Sequence, residues 1–224
     1  MARVEPFERH AERYDAWFVR HRYAYEAEIR ALRALLPGRG LGLEIGVGTG
    51  RFAAPLGVQF GIEPAQAMLK FARSRGIRVA AAAAEALPFK AGSFDFALMV
   101  TTICFVDHVT VALNEARRVL KHRGLLVVGF VDADSPLGHA YQEHSQESVF
   151  YRSARFLSAD DVVVCLRGTG FCALRAVQTI FHPLDEVPET EPVKNDHGEG
   201  SFVALRGEIA DESSDADGSN LHPA

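Results

Sequence analysis

The feature of this sequence that most restricts its fold is a glycine-rich loop directly after an apolar run. Residues 41–50 read LGLEIGVGTG, with Gly46, Gly48 and Gly50 in the loop and a helix-like segment behind it. In a doubly wound sheet, the first such turn lies at the switch point where ligands bind beyond the carboxyl ends of the strands. Glycine suits this turn because it adopts positive φ and lets the backbone approach a ligand closely. The loop therefore predicts a ligand site on an α/β sheet.

Short apolar runs alternate with helix-like segments through the middle of the chain. Near-continuous apolar runs separated by helices are typical of a parallel sheet covered on both faces. Two later runs, 172–181 and 201–206, have no helix between them and are expected to pair as an antiparallel hairpin. We therefore expect an α/β, Rossmann-like, doubly wound sheet of seven strands, mostly parallel with an antiparallel C-terminal strand. The parallel strands are expected at 41–45, 58–62, 77–81, 94–100 and 124–131.

The two ends of the chain differ from this core. Near the N-terminus, Tyr14, Trp17 and Phe18 have the spacing of one helical face, which predicts an N-terminal helical lid over residues 1–38. The main domain is expected over 39–207. The segment 208–224 is acidic, rich in Ser and Gly and poor in large apolar residues, so we expect a disordered tail.

Charge and cysteine content exclude several classes of partner. The net charge of −5 argues against duplex nucleic acid, which is bound by neutralising phosphates with Lys and Arg. The three cysteines are widely spaced, which predicts neither a disulfide framework nor a metal site. The longest aliphatic run, 125–131, is far shorter than the roughly 20 residues of a membrane span. With no apolar signal segment, we expect a cytoplasmic protein without metal, membrane or nucleic-acid partners.

The spacing of the glycines distinguishes two kinds of cofactor. A dinucleotide-binding loop reads G-x-G-x-x-G, whereas Gly50 here follows Gly48 by two residues, and Glu44 lies inside the strand before the loop. This spacing disfavours a nicotinamide-dependent oxidoreductase, which remains one alternative. A non-catalytic nucleoside-binding module is another, because a fold alone does not prove activity.

An acid at the end of the second strand supports a nucleoside site. The run GIEPAQAML, residues 61–69, places Glu63 at a strand C-terminus, 17 residues after Gly46. A carboxylate at this position can accept hydrogen bonds from both ribose hydroxyls. The alternative is an acid favoured by the dipole at a helix start.

An ordered set of motifs resembles the class I S-adenosylmethionine-dependent methyltransferases, in particular the methyltransferase type 11 family. The match covers about residues 41–131, and the C-terminal hairpin resembles the antiparallel last strand of that fold. The motifs are EIGVGTG at 44–50, Glu63-Pro64, EALPF at 85–89, SFD at 93–95, and RVLK at 118–121 before Gly124. The resemblance implies S-adenosylmethionine as cofactor.

The resemblance also implies a role for each matching residue. The three loop glycines would let the backbone approach the methionine part of the cofactor. Glu44 would orient its ammonium group directly or through water, and Glu63 would bind the ribose hydroxyls. Many relatives have Asp two positions before Glu85, but this chain has Ala83, so adenine recognition is expected to use backbone groups, with Glu85 a further candidate. The remaining cofactor residues implied are Pro64, Met68, Ala84, Thr101 and Thr102, and Tyr14 joins them as a candidate from the aromatic N-terminal helices; Met68 has an alternative interpretation as an ordinary core residue.

Methyl transfer from a sulfonium is an in-line displacement with an activated leaving group. The protein mainly aligns donor and acceptor and excludes water, and a general base is needed only for a protonated or weakly nucleophilic acceptor. We expect a small-molecule acceptor, with Tyr14 and Trp17 covering the sulfonium by cation–π attraction or simply packing the helix on the sheet. The candidate catalytic residues are His108, His139, Tyr151 and His197, each with an alternative interpretation as a turn or surface residue.

Overall fold

The computed structural model describes residues 4–209, and at its centre is one mixed β-sheet of eight strands. The strands, in chain order, are Gly42–Ile45 (β1), Phe60–Ile62 (β2), Arg78–Ala80 (β3), Phe94–Val100 (β4), Leu120–Val131 (β5), Phe171–Thr179 (β6), Lys194–Asn195 (β7) and Phe202–Ile209 (β8). Their order across the sheet is β3-β2-β1-β4-β5-β8-β6-β7. β1 to β5 are parallel, and β8 pairs antiparallel with both β5 and β6.

The expected doubly wound sheet with an antiparallel C-terminal strand is confirmed, with one strand more than the seven expected. The additional strand, β7, has two residues and pairs with the outer edge of β6. The sequence at this strand has no apolar run long enough to predict a strand. The pairing arises where the loop between β6 and β8 returns along β6. The last strand continues to Ile209, two residues into the segment expected to be a tail. The rest of that segment, 210–224, lies outside the described residues.

Helices cover both faces of the sheet. Alternation along β1 places Leu43 and Ile45 in the core on one face, while Glu44 points to the other face. The N-terminal helices lie on this second face, and α3 packs against β5, β6 and β8. The α-helices are Glu5–Arg9 (α1), Ala11–Arg20 (α2), Arg22–Leu35 (α3), Ala53–Leu56 (α4), Gln66–Ser74 (α5), Val109–Val119 (α6), Pro136–Glu143 (α7) and Ala159–Gly168 (α8).

The amphipathic pattern of α3 explains its position. Its buried residues recur at spacings of three and four and form one continuous face, which packs on the sheet. Close packing is possible because Gly129 lies beneath this face: a Cβ there would come within 2.9 Å of Leu32 Cδ2. One member of the buried face is not apolar, namely Glu28, 4 % exposed. No helix in residues 4–209 is both long and apolar enough to cross a membrane.

Candidate functional site

The glycine loop leaves β1 with backbone angles that favour glycine. φ is +73° at Gly46, +52° at Gly48 and +82° at Gly50. A Cβ on Gly46 would overlap the side chain of Thr102, whereas one on Gly48 would point at the Tyr14 ring, 3.5 Å from Cε1. The loop therefore passes close to Tyr14 and Thr102, and Gly46 and Gly48 line the same cavity as these two side chains.

Glu63 connects the end of β2 to this loop. Its Oε2 accepts a hydrogen bond from the Gly48 N–H at 3.2 Å, and its Oε1 accepts one from the Ala65 N–H at 3.0 Å. Burial raises the pKa of Glu63 to about 7, although these two N–H groups favour the ionised form. The carboxyl thus holds the loop in place and retains further lone pairs for hydroxyl donors.

Glu44 is a buried carboxyl that the protein itself only partly satisfies. It is 1 % exposed, and its Oε2 has no hydrogen-bond partner among the residues that the structure describes. Burial raises the pKa of Glu44 well above its usual range, more than the Ala53 N–H lowers it. An unsatisfied buried carboxylate oxygen is costly, and a ligand cation at this position would satisfy it. Glu44 therefore fits the ammonium group of the cofactor that the sequence resemblance implies.

The glycine loop and Glu63 line a cavity, here called the glycine-loop cavity. It lies at the carboxyl ends of β1, β2 and β4, as the sequence predicted. Ten of the twelve residues expected at the cofactor line it, and Glu44 and Gly50 do not. The ten are Tyr14, Gly46, Gly48, Glu63, Pro64, Met68, Ala84, Glu85, Thr101 and Thr102.

Glu85 uses part of its carboxylate inside the protein. Its Oε1 accepts hydrogen bonds from the N–H groups of Asp107 at 2.8 Å and His108 at 3.3 Å, at the start of α6. Ala83 and Ala84 also line the cavity. Backbone groups and the second carboxylate oxygen of Glu85 are therefore the polar groups that this end of the cavity could offer to an adenine.

A salt-bridge cluster fixes α2 over the glycine loop. The Asp15 carboxylate accepts two hydrogen bonds from Arg51, at 2.9 and 2.6 Å, and one from Arg75 at 3.0 Å. Arg75 also donates to the carbonyl of Thr49, inside the loop, at 2.7 Å. Burial opposes ionisation of Asp15, but the hydrogen bonds outweigh it and hold its pKa below the usual range. The N-terminal helices are thus attached to the loop by charged groups that the sequence analysis did not connect.

A second and larger cavity lies between α2, α3 and the segment that follows β5; we call it the aromatic cavity. Four residues line both cavities and form their common wall: Phe7, Tyr14, Thr101 and Phe105. Tyr151 lines the aromatic cavity and stacks on Tyr141 with a centroid distance of 4.7 Å. Thr101 has φ +47°, a strained conformation for a β-branched residue, of the kind that clusters at ligand sites.

Glu28 also lines the aromatic cavity, and sequence reasoning missed it. Burial alone raises the pKa of its carboxyl to about 8. The available signal was its position between Ala24 and Leu32, four residues from each, on the apolar face of α3. A carboxyl at a core position of an amphipathic helix is informative because charged residues are rarely buried without a partner.

The other predicted catalytic residues lie elsewhere. His108 is exposed at the start of α6, and His139 is exposed on α7. His197 is half-buried in the loop before β8, with Nε2 3.9 Å from an Asp160 carboxylate oxygen. None of the three lines either cavity. Trp17 lines the aromatic cavity and not the glycine-loop cavity.

The chain is similar to known proteins over nearly its whole length. A family model described as "Methyltransferase domain" matches residues 43–128. A solved structure from Thermotoga maritima, described as a SAM-dependent methyltransferase and possible histamine N-methyltransferase, is 50% identical. The match covers 92% of this chain and 99% of that one, with a TM-score of 0.90. This chain belongs to the S-adenosylmethionine-dependent methyltransferases.

Two further proteins are similar to this chain. An uncharacterized protein of Methanocaldococcus jannaschii is 46% identical over 202 residues, which is 90% of the methyltransferase described here and 98% of that protein. An S-adenosylmethionine-dependent methyltransferase from Mesorhizobium loti is 19% identical, with a TM-score of 0.61 over 81% of this chain and 97% of that one, and shows the fold alone. The cofactor of the methyltransferase is S-adenosylmethionine, as the sequence predicted.

Proposed function

We propose that this methyltransferase transfers the methyl group of S-adenosylmethionine to a small molecule bound in the aromatic cavity. The observation that carries the proposal is the common wall of the two cavities, formed by Phe7, Tyr14, Thr101 and Phe105. The two cavities adjoin at these four residues, so a cofactor in one cavity and an acceptor in the other would lie next to each other. That arrangement supplies the alignment and the exclusion of water on which an in-line displacement depends.

In this proposal, each buried carboxyl beside the glycine loop binds one part of the cofactor. Glu63 accepts hydrogen bonds from the ribose hydroxyls, and Glu44, which does not line the cavity, orients the ammonium group through water at its unsatisfied oxygen. The other lining residues predicted from the sequence form the walls of the site. When bound, S-adenosylmethionine supplies a methyl group activated by its sulfonium, next to which Tyr14 offers an aromatic face.

The catalytic candidates reduce to Tyr151 on the basis of position. Burial raises the pKa of the Tyr151 hydroxyl well above its usual value, so the hydroxyl stays protonated at neutral pH. We assign it the role of a hydrogen-bond donor or positioning residue for the acceptor. The description of the Thermotoga maritima protein names histamine, a small molecule, as the possible acceptor of that protein, which supports a small acceptor here.

A label-transfer experiment tests the proposal. The protein is incubated with methyl-tritiated S-adenosylmethionine and, separately, with pools of small amines, phenols and carboxylic acids, with total RNA and with denatured protein. We expect label in a small-molecule pool and none in the macromolecules, and a Tyr151→Phe variant that binds cofactor normally but transfers label more slowly. Transfer to RNA or protein alone would contradict a small acceptor, and cofactor binding with no transfer to any pool would contradict an enzyme.

A further inference from the structure

The aromatic cavity contains one buried ionisable group without a partner among the residues that the structure describes. Glu28 is 4 % exposed and lines the cavity from α3. Burial is the sole cause of its shifted pKa, and within residues 4–209 its carboxyl has neither a hydrogen bond nor an ion pair. Burying a carboxyl in this way opposes folding, and the neighbouring positions of the same helix face hold Ala and Leu. A ligand that pairs with the carboxyl would account for its presence.

The other ionisable side chains of the cavity do not fill this role. Those on α2, on α7 and after α7 are Arg13, Tyr14, Arg20, Tyr141, His144 and Tyr151. Arg13, Arg20 and His144 are exposed. The three tyrosines stay neutral because burial raises the pKa of each hydroxyl. The inner cavity therefore combines one carboxyl with neutral aromatic rings.

This combination is chemically selective. A carboxylate attracts a cation directly, and aromatic faces attract a cation through their quadrupole. The carboxylate of an acidic ligand gains neither attraction and opposes the ionisation of Glu28. We propose that Glu28 and the rings around it bind a positively charged nitrogen of the methyl acceptor, which makes the acceptor an organic amine. The inference rests on the proposed function of the aromatic cavity.

Amine binding through Glu28 has a measurable signature in protons. With a pKa of about 8, Glu28 carries a proton in most free molecules at neutral pH. A bound cation favours the carboxylate, so binding at about pH 7 releases close to one proton, roughly 0.9 per site. An ammonium ion that binds without this pair and keeps its own proton releases none, and one that binds as the neutral amine releases its own proton in Glu28→Gln as well as in the wild type.

Calorimetry on the protein saturated with S-adenosylhomocysteine tests the inference. The probes are phenethylamine, its neutral analogue 2-phenylethanol and its acidic analogue phenylacetate, titrated in phosphate and in Tris so that the exchanged protons can be counted. We expect the amine to bind about tenfold or more tightly than the alcohol, a difference within the range of one charged hydrogen bond, with proton release. In Glu28→Gln, the amine should lose this advantage and the proton release, while the affinity of the alcohol is unchanged.

The matched control is Glu26→Gln, on the same helix, whose carboxylate pairs with Arg22 at 2.6 Å and does not line the cavity. It should bind the amine as the wild type does. Equal binding of amine and alcohol, tighter binding of the acid, or an amine affinity unchanged in Glu28→Gln would each overturn the inference. If S-adenosylhomocysteine fails to bind at the outset, the proposed function is wrong; if label reaches a neutral acceptor independently of Glu28, only the inference is wrong.

Discussion

Replacing Glu63 by Gln should weaken cofactor binding and change its dependence on pH. The substitution keeps the shape of the side chain but removes the negative charge of the carboxylate that would accept hydrogen bonds from the ribose hydroxyls. Hydrogen bonds to a charged group contribute about 1.5–3 kcal/mol, so we expect the dissociation constant of S-adenosylhomocysteine to rise about 10-fold to 150-fold near pH 8. Glu85→Gln should lose less affinity, because Oε1 of Glu85 is engaged by the N–H groups at the start of α6.

The dependence on pH follows from the raised pKa of Glu63, about 7 in the free protein. An acid with a raised pKa is protonated below that value, and ribose hydroxyls bind its ionised form better. The ionised fraction rises from about 9 % at pH 6 to about 91 % at pH 8, so wild-type affinity should rise about tenfold over this interval.

Calorimetric titrations of wild type and Glu63→Gln at both pH values measure this effect. The quantity compared is the change in the logarithm of the affinity between pH 6 and pH 8. Subtracting this change in the variant from that in the wild type removes the contributions of Glu44 and of the ligand's own amino group. An unchanged affinity in Glu63→Gln, or the same slope in both proteins, would show that Glu63 does not bind the ribose.

Three further substitutions test the remaining features of the site. Glu28→Gln should raise the free energy of unfolding, by about 2 kcal/mol more at pH 8 than at pH 6. The reason is that burial raises the pKa of Glu28, so the wild type loses stability as the pH rises towards that pKa. Equal gains at both pH values in urea unfolding would contradict this. Asp15→Asn should lower stability by about 1–3 kcal/mol and weaken cofactor binding, because a hydrogen bond to a charged group is lost at Arg51; unchanged melting and affinity would show that the salt-bridge cluster does not hold α2. Gly48→Val should abolish cofactor binding while the circular dichroism spectrum stays native. The control Gly57→Val, with a similar φ of +71° and open space around it, should bind the cofactor normally. Cofactor binding by Gly48→Val would show that the loop is not part of the cofactor site.

Local sequence patterns sufficed for the sheet and for the carboxyl ends of its first strands. Apolar runs and helix spacing predict the parallel order, and the spacing from Gly46 to Glu63 places both at one edge because neighbouring parallel strands end together. The two-residue strand β7 had no comparable signal, since it is defined by pairing along β6 and not by its own composition.

Contacts between distant segments could not be predicted in the same way. Asp15 meets Arg51 and Arg75 only after α2 packs across the loop and α5 packs behind it. A carboxyl and a guanidinium are ordinary on any helix surface, so nothing in their local sequence marks the pair. Glu28 is different, because its helical spacing from Ala24 and Leu32 already places it on the apolar face of α3. His108 and His139 are both exposed. A histidine that follows a strand in the sequence is therefore weak evidence for a catalytic site when the packing around it is unknown.

The common wall of the two cavities has a kinetic consequence. Phe7 and Tyr14 belong to α1 and α2 and line both cavities. Under the proposed function, a single opening of these helices would therefore release both products. Where such opening limits turnover, acceptors of very different reactivity share nearly the same kcat. They then differ in kcat/KM, and faster solvent exchange at the N-terminal helices accompanies faster turnover. In this enzyme the speed of catalysis would be set by the mobility of the helices that precede the sheet.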